Sequence, residues 1–149
     1  MSLECIVQEA VDIVTPAESA FQAAERMHQR TVGCLVVVDS RNVPIGVLTD
    51  RDLMIRVIAA GRDAYTTSVR EVMTPAPRTI SHNATVKAAL AMMRSGNFRR
   101  LPVVNDLGHL MGLVALDDIL MLLAREMHEV GALLRQETPE AAGHPAITR

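Results

Sequence analysis

The sequence predicts an α/β (α+β) fold in which two β-α-β-β-α repeats pack sheet to sheet with pseudo-two-fold symmetry. When the 149-residue sequence is shifted against itself by 66 positions, the two copies align without a gap from Val14 to Ile55. Within each copy, hydrophobic residues recur first with strand spacing, then with helix spacing, and then in two β-rich runs around a turn. Hydrophobic residues make up 49% of the chain and aromatic residues only 2%, which indicates an aliphatic core.

The internal repeat is carried by identities that keep their order along both copies. The identical pairs are Ala23/Ala89, Met27/Met93, Leu35/Leu101, Val37/Val103, Val38/Val104, Gly46/Gly112 and Asp52/Asp118. A unit of about 55 residues buries too little surface to be stable alone. The two copies are therefore expected to bury their apolar sheet faces in one shared core, with residues 65–68 and 73–77 as the segments that separate them.

Each copy begins with a short extended stretch, Ile13–Thr15 in the first and Thr79–Ser81 in the second. Ser19 and Thr85 then suit the N-cap of a helix, because a side-chain hydroxyl accepts a hydrogen bond from an unpaired amide of the first turn. Gly96 suits the C-terminal end of the second helix. The apolar faces of the two helices are Ala20, Ala23, Ala24 and Met27, and Val86, Ala89, Leu90 and Met93.

Two β-rich runs follow in each copy, at 35–39 and 45–48 and again at 101–105 and 110–114, and a second helix closes the copy. The last helix continues past its counterpart. Its apolar seam consists of Leu120, Leu123, Met127, Val130 and Leu134. Alternating steps of three and four are typical of a helix that pairs with another helix, so the seam predicts a homodimer; packing on its own domain is the alternative. Residues 136–149 are expected to be a disordered tail.

Together these features resemble a tandem pair of cystathionine-β-synthase (CBS) domains, the arrangement called a Bateman module. The resemblance covers residues 7–134, with one repeat at 7–66 and the other at 71–134. It rests on the doubled element order, on Leu-Pro-Val-Val-Asn at 101–105 and on Val-Met-Thr-Pro at 72–75. It also rests on Gly-Val-Leu-Thr-Asp-Arg-Asp at 46–52, which fits the family's nucleotide pattern of glycine, hydrophobic, any residue, threonine or serine, any two residues, and aspartate or asparagine.

The resemblance implies a regulatory module without catalysis that requires no cofactor. Such modules bind an adenosine nucleotide (AMP, ADP or ATP), or S-adenosylmethionine or NAD, in clefts between the repeats. The motif aspartate takes ribose hydroxyls and the threonine lies near phosphates, which suits a double acceptor and a hydroxyl at a helix start. Carried onto this sequence, the stronger site consists of Thr49, Arg51, Asp52, Thr74, Arg78, Phe98 and Arg99. Phe98 would give adenine an apolar face and the Arg99 backbone would contact its edge.

The resemblance also implies a weaker site, formed by Asp118 together with Val32 and Gly33. Its copy of the motif departs from the pattern, because Ala115 replaces the hydroxyl and Asp117 stands where the first copy has an arginine. One competent site and one weak or empty site are expected.

Other interpretations of the same residues stay open. Thr49 and Asp52 also suit a helix cap, and Gly46 and Gly112 a tight strand geometry. The alternative function is a dimerising interaction module that binds no nucleotide. Catalysis is not expected, because the sequence lacks the dinucleotide, P-loop and nucleophile-elbow motifs. A metal site is not expected either, because the five histidines are scattered without metal-ligand spacing.

Charge and targeting features restrict the partners. A net charge of −2 argues against nucleic acid and anionic membrane surfaces. Two cysteines, no signal-peptide pattern and no membrane-length apolar run predict a reduced, cytoplasmic protein. An adenosine-containing small molecule and a separate, unknown effector protein are the expected partners.

Overall fold

The computed structural model describes residues 1–137 and contains two β-sheets with helices packed on them, which confirms the α+β class. The strands are β1 (Ile13–Val14), β2 (Cys34–Val38), β3 (Pro44–Thr49), β4 (Thr74–Pro75), β5 (Ile80–Ser81), β6 (Arg100–Val104) and β7 (Leu110–Ala115). The helices are α1 (Ala20–Arg30), α2 (Asp50–Leu53), α3 (Val69–Val72), α4 (Val86–Gly96) and α5 (Leu116–Glu137). A 3₁₀ turn spans Leu3–Cys5, and α2 continues directly as a π-helical segment over Met54–Ile58.

The two sheets share one topology. The first has the strand order β1-β2-β3-β4 and the second β5-β6-β7. In each, the first strand runs parallel to its neighbour, and the next two strands form an antiparallel hairpin. The hairpin registers shift between Val37 and Val38 and between Val103 and Val104. The repeat seen in the sequence is therefore reproduced down to the place where the strand pairing is irregular.

The segment that precedes each repeat pairs with the other repeat. Thr74 of β4 lies opposite Val47 of β3 in antiparallel pairing. Gln8 lies opposite Leu113 of β7, and the two residues exchange N–H···O=C bonds of 3.0 and 3.1 Å. Gln8 precedes Thr74, and Leu113 follows Val47, by the same 66 positions. The junction expected to be a separating segment is thus a strand of the first sheet.

Two hydrophobic clusters, one on each sheet, take the place of the single core expected from the sequence. Leu3 is fully buried in the cluster of the second sheet, whereas Val69 and Val72 of α3 are fully buried in that of the first. The predicted repeats at 7–66 and 71–134 are therefore copies in sequence, but each packing unit also contains a short segment from the other half of the chain.

The inner faces of the sheets pack towards each other. All five residues of β2 are buried. Leu35 and Val37 belong to the first cluster, and because side chains alternate along a strand, Cys34 and Val36 point the other way. Cys34 and Arg100 of β6 line the same two cavities between the sheets. The helices thus cover the outer face of each sheet, and the cavities lie between the inner faces of the two sheets.

Both predicted N-caps are confirmed. Ser19 forms a capping box with Gln22, and the Thr85 hydroxyl accepts from the Ala88 N–H at 3.2 Å. The end of α4 differs from the expectation, because Gly96 is its last helical residue and Asn97 takes the left-handed conformation, with φ of 54°. Asn97 rather than the glycine therefore terminates α4.

Helix α5 contributes Ile119 and Leu122 to the second cluster and then extends beyond it. The five seam residues predicted from the sequence are all exposed, Met127 most of all at 76%. The alternative in which this seam packs on its own domain is therefore wrong for the chain as described. The helix includes Gln136 and Glu137, so the predicted disordered tail is wrong for these two residues; residues 138–149 lie outside the described part. Within residues 1–137, no helix is long and apolar enough to cross a membrane.

Candidate functional site

A cavity of about 460 Å³ lies between the two repeats. Its lining includes Thr49, Asp52, Thr74, Arg78, Phe98 and Arg99, six of the seven residues assigned to the stronger site. Arg51 is absent from the lining and is exposed. Neighbouring residues of a helix point about 100° apart, so Arg51 faces away when Asp52 faces the cavity. The structure thus brings together all of the assigned residues except this arginine.

Thr49 and Asp52 begin α2 with a reciprocal capping box. The Thr49 N–H donates to Asp52 Oδ2 at 2.9 Å, and the Asp52 N–H donates to Thr49 Oγ1 at 3.2 Å. The capping interpretation of these residues is therefore confirmed. The cap also holds both side chains at the wall of the cavity, since the same two residues belong to its lining.

Arg56, which the sequence reasoning missed, connects Asp52 to Thr74. Its guanidinium lies 3.2 Å from Asp52 Oδ1 and donates two hydrogen bonds of 3.1 Å to Thr74 Oγ1. Because these donors engage the acceptor side of the Thr74 hydroxyl, its O–H remains available to donate towards the cavity. The ion-pair spacing of four positions between Asp52 and Arg56 was visible in the sequence, but the contact across to β4 was not.

Arginines supply most of the charge of this cavity. Arg78, Arg99 and Arg100 line it together with Asp52, which gives three positive charges and one negative charge. Arg100 was not assigned from the sequence, although it is the residue next to Arg99. A lining with this excess of guanidinium groups suits an anion such as a phosphate.

Cys34 also lines the cavity, as a buried free thiol. Burial raises the pKa of its thiol to about 11, against the influence of the nearby Arg100, which lowers it. The thiolate is the reactive form of cysteine, so the thiol contributes surface rather than reactivity.

Gly96 leaves room for the Phe98 ring. A Cβ at Gly96 would lie only 1.8 Å from Cζ of the Phe98 ring, so the ring needs a glycine beside it. Phe98 packs partly against the second hydrophobic cluster while it lines the cavity. The Arg99 carbonyl accepts from the Leu116 N–H at 2.8 Å, which ties this segment to the start of α5. Phe98 thus presents an apolar surface to the cavity from a fixed position.

The remaining cavity wall is apolar and was largely missed by sequence reasoning. Pro75, Ala76 and Pro77 of the junction and Pro102 of β6 belong to the lining. The composition of the junction was visible as a Pro-rich stretch, but it suggested a linker. Only its pairing with β3 brings it to the cavity.

A second cavity of about 320 Å³ contains all the residues assigned to the weaker site, Asp118, Val32 and Gly33. Both oxygens of Asp118 are already engaged: Oδ2 accepts from the Ala115 N–H and Oδ1 from Nε2 of Gln8, each at 2.8 Å. Gln8 occupies the place that Thr74 has in the first cavity. The carboxylate of the second copy is therefore held within the chain, as Asp52 of the first copy is held by the Thr49 N–H and Arg56.

The charge of the second cavity is opposite to that of the first. Its lining carries Asp12, Asp117 and Asp118 with Arg100 as the counter-charge, hence three negative charges and one positive. Asp12 stands 66 positions before Arg78, so a carboxylate replaces the guanidinium at the equivalent point. An anionic ligand is therefore favoured in the first cavity and disfavoured in the second.

Residues 1–137 contain no group of three or more His, Cys, Asp or Glu side chains arranged to hold a metal ion.

Comparison with known proteins finds CBS domain-containing proteins among the relatives. The chain is 39% identical over 109 residues to the CBS domain-containing protein YhcV of Bacillus subtilis, a match that covers 73% of this chain and 76% of that protein. It is 34% identical over 113 residues to the protein MK0525 of Methanopyrus kandleri, covering 74% of this chain and 58% of that protein.

Solved structures with the same fold include two proteins that are 29% identical to this chain. Hypoxic Response Protein I, crystallised with two coordinated zinc ions, has a TM-score of 0.74 and matches 81% of this chain and 98% of its own. The CBS-domain containing protein ATU1752 from Agrobacterium tumefaciens has a TM-score of 0.72 and matches 82% of this chain and 98% of its own.

The family model described as the CBS domain matches this sequence twice, over residues 3–59 and 69–125. Pairs of such domains are regulatory modules. The two matches cover most of the chain and coincide with the doubled topology of the structure. The chain therefore belongs to the CBS domain family, with two CBS domains in tandem.

Proposed function

We propose that this CBS pair is a ligand-sensing module that binds an adenosine nucleotide (AMP, ADP or ATP) in the 460 Å³ cavity between its repeats and has no catalysis of its own. The observation that carries the proposal is the joint presence of Asp52 and three arginines in one cavity that also has an apolar wall. The cavity lies within the range of about 300–1,000 Å³ that small-molecule sites occupy.

Each part of a nucleotide has a matching group in the lining. The Asp52 carboxylate is a double acceptor that suits the two hydroxyls of a ribose. Arg78, Arg99 and Arg100 suit phosphate, and Phe98 with the junction prolines suits a flat apolar base. The second cavity, with its reversed charge, is expected to stay empty at nucleotide concentrations that fill the first.

Regulation follows if the nucleotide binds one arrangement of the repeats more tightly than another. The cavity is lined from both repeats, so occupation changes the contacts that set their relative position. The regulated effector is a separate protein in this proposal, and the site of action is the cytoplasm. S-adenosylmethionine and NAD share the adenosine part and remain the alternative ligands.

We also propose that the chain forms a homodimer through α5. The seam at Leu120, Leu123, Met127, Val130 and Leu134 is exposed along the helix. A row of exposed apolar side chains along one helix marks an interaction site, and the three-and-four spacing suits a second helix of the same kind. A dimerising module that binds no nucleotide is the second candidate function, and this seam is the observation that favours it.

The ligand is tested by thermal unfolding with and without AMP, ADP, ATP, NAD and S-adenosylmethionine. A nucleotide present at about a hundred times its dissociation constant stabilises the folded state by about 2.7 kcal/mol. For a chain of this size the midpoint is expected to rise by about 5–10 °C. Asp52→Ala should abolish the shift, because the ribose acceptor is lost.

Asp50→Ala is the matched control, since Asp50 begins the same helix but is exposed and absent from the cavity lining. The variant should keep the ligand-induced shift. Mass spectrometry of the denatured protein identifies any nucleotide that co-purifies. If no ligand shifts the midpoint and none co-purifies, nucleotide sensing is wrong and the dimerising module is the better account.

A further inference from the structure

Arg56 stands behind the wall of the first cavity and is absent from its lining. It lies in the π-helical segment Met54–Ile58, at the point where the closing helix of the first repeat leaves α-helical geometry. Such π-helical turns are frequently found at functional sites, because the wider turn redirects a side chain. Here the guanidinium reaches from this segment to the junction strand β4.

The guanidinium has three partners, two on the junction side at the end of α3 and on β4, and one in α2. On the junction side, it donates to the Val72 carbonyl at 2.8 Å and to the Thr74 hydroxyl at 3.1 Å. On the helix side, it lies 3.2 Å from Asp52 Oδ1, while Oδ2 of the same carboxylate accepts from the Thr49 N–H. The Asp52 side chain is only 16% exposed, so its charge benefits from a fixed counter-ion. Arg56 thus fixes this carboxylate relative to β4, whose Thr74 also lines the cavity.

The second repeat lacks this arrangement. Leu122 stands 66 positions after Arg56 and is buried in the second cluster. Asp118 is held instead by Gln8, which comes from the segment equivalent to β4. The two cavities therefore differ in the group that holds the aspartate: a guanidinium behind the wall in the first, and an amide that belongs to the lining in the second.

We propose that Arg56 is a positioning residue for the ligand: anchored by the Val72 carbonyl at the end of α3 and by the Thr74 hydroxyl on β4, it holds the Asp52 carboxylate oriented so that both ribose hydroxyls find an acceptor. This inference rests on the nucleotide function proposed above. It assigns selectivity between the two cavities to a residue outside the family's nucleotide pattern. A ligand that lacks the ribose hydroxyls cannot donate hydrogen bonds to the Asp52 carboxylate, so its affinity should not depend on how that carboxylate is oriented.

The experiment measures binding affinity by isothermal titration calorimetry, with AMP and ATP and with their 2′,3′-dideoxy analogues. Arg56→Leu, which copies the second repeat, should weaken binding of AMP or ATP about tenfold, the effect of one lost charged hydrogen bond. The dideoxy analogue should lose no more than about twofold. Arg56→Lys keeps the positive charge, but its single ammonium group cannot contact the junction and Asp52 at the same time. The nucleotide affinity of this variant should therefore lie between those of the wild type and Arg56→Leu. Arg62→Leu is the matched control, because Arg62 pairs with Glu71 at 3.8 Å and is absent from the cavity lining.

The possible failures are distinguishable. If the wild type binds neither AMP nor ATP, the nucleotide function fails and this inference fails with it. If the wild type binds and the Arg56 variants bind equally well, only the positioning role is overturned. Equal losses for the ribose and dideoxy ligands would also overturn it, because a general structural defect does not depend on the hydroxyls. Arg56→Lys keeps the test valid if circular dichroism shows that Arg56→Leu does not fold.

Discussion

Two glycines occupy equivalent points of the two repeats and serve the same close approach. A Cβ at Gly46 of β3 would lie 2.4 Å from Sδ of Met73, and one at Gly112 of β7 would lie 2.2 Å from Cγ1 of Val7. Neither glycine has a positive φ, so the lack of a side chain rather than backbone freedom is what the position requires. The glycine of the nucleotide pattern thus admits the segment that comes from the other repeat.

Replacing each glycine by alanine should lower the stability of the protein by a different amount. Gly112→Ala should lower the free energy of unfolding by about 1–3 kcal/mol, because the Cβ would meet the stiff Val7 side chain and, at 2.9 Å, the Gln8 carbonyl oxygen. Gly46→Ala should cost less, because Met73 is flexible and its terminal atoms can move. Urea unfolding of both variants measures the difference. Equal losses would contradict this account of the glycines.

At the scale of elements, α5 combines two roles along one helix. Its first turns bury Ile119 and Leu122 on one face and expose Leu120 and Leu123 on another, and its later turns expose the rest of the seam. The family model ends at residue 125, whereas the helix continues to Glu137. The later turns therefore add an apolar surface beyond the shared domain, and a second copy of the chain is the partner we propose for it.

Met127→Glu tests that surface. A carboxylate in the middle of the seam would have to be buried without a counter-charge at the interface, so the dimer should dissociate to monomers. Light scattering after size exclusion should give twice the chain mass for the wild type and the single mass for the variant. His128→Glu is the matched control: it adds the same charge on the adjacent position, which is exposed and outside the seam, and should leave the dimer intact. A monomeric wild type would contradict the dimer.

At the scale of the whole molecule, the two halves are held together by exchanged segments. Leu3 is buried among residues of the second repeat, and Val69 and Val72 are buried among residues of the first. Neither half has a complete core without the segment that the other provides. The chain is therefore expected to unfold in one cooperative transition.

Leu3→Ala tests this exchange. Leu3 is fully buried, so its truncation should lower the free energy of unfolding by about 2–5 kcal/mol and shift the whole transition, including signals from the first repeat. Cys5→Ala, in the same turn but exposed, should change stability little. Two separate transitions, with only one of them moved by Leu3→Ala, would show that the halves are independent.

The sequence by itself determined the repeat, the order of the elements, the two helix N-caps and six of the residues that line the first cavity. Periodicity and capping depend on residues a few positions apart, so they can be derived from the chain directly. The resemblance then grouped Thr49 and Asp52 with residues of the other repeat, and the cavity contains six of the seven assigned residues.

Only the tertiary structure decided what the distant segments do. The pairing of Gln8 with Leu113 and of Thr74 with Val47, the contact of Arg56 with Thr74, and the exposure of the α5 seam all depend on which sheet edge each segment reaches. A strand edge offers the same N–H and C=O groups to any extended segment, so local sequence does not select its partner. That selection follows from shape, through the glycines that leave room for the exchanged chain and the apolar residues that are buried beside it.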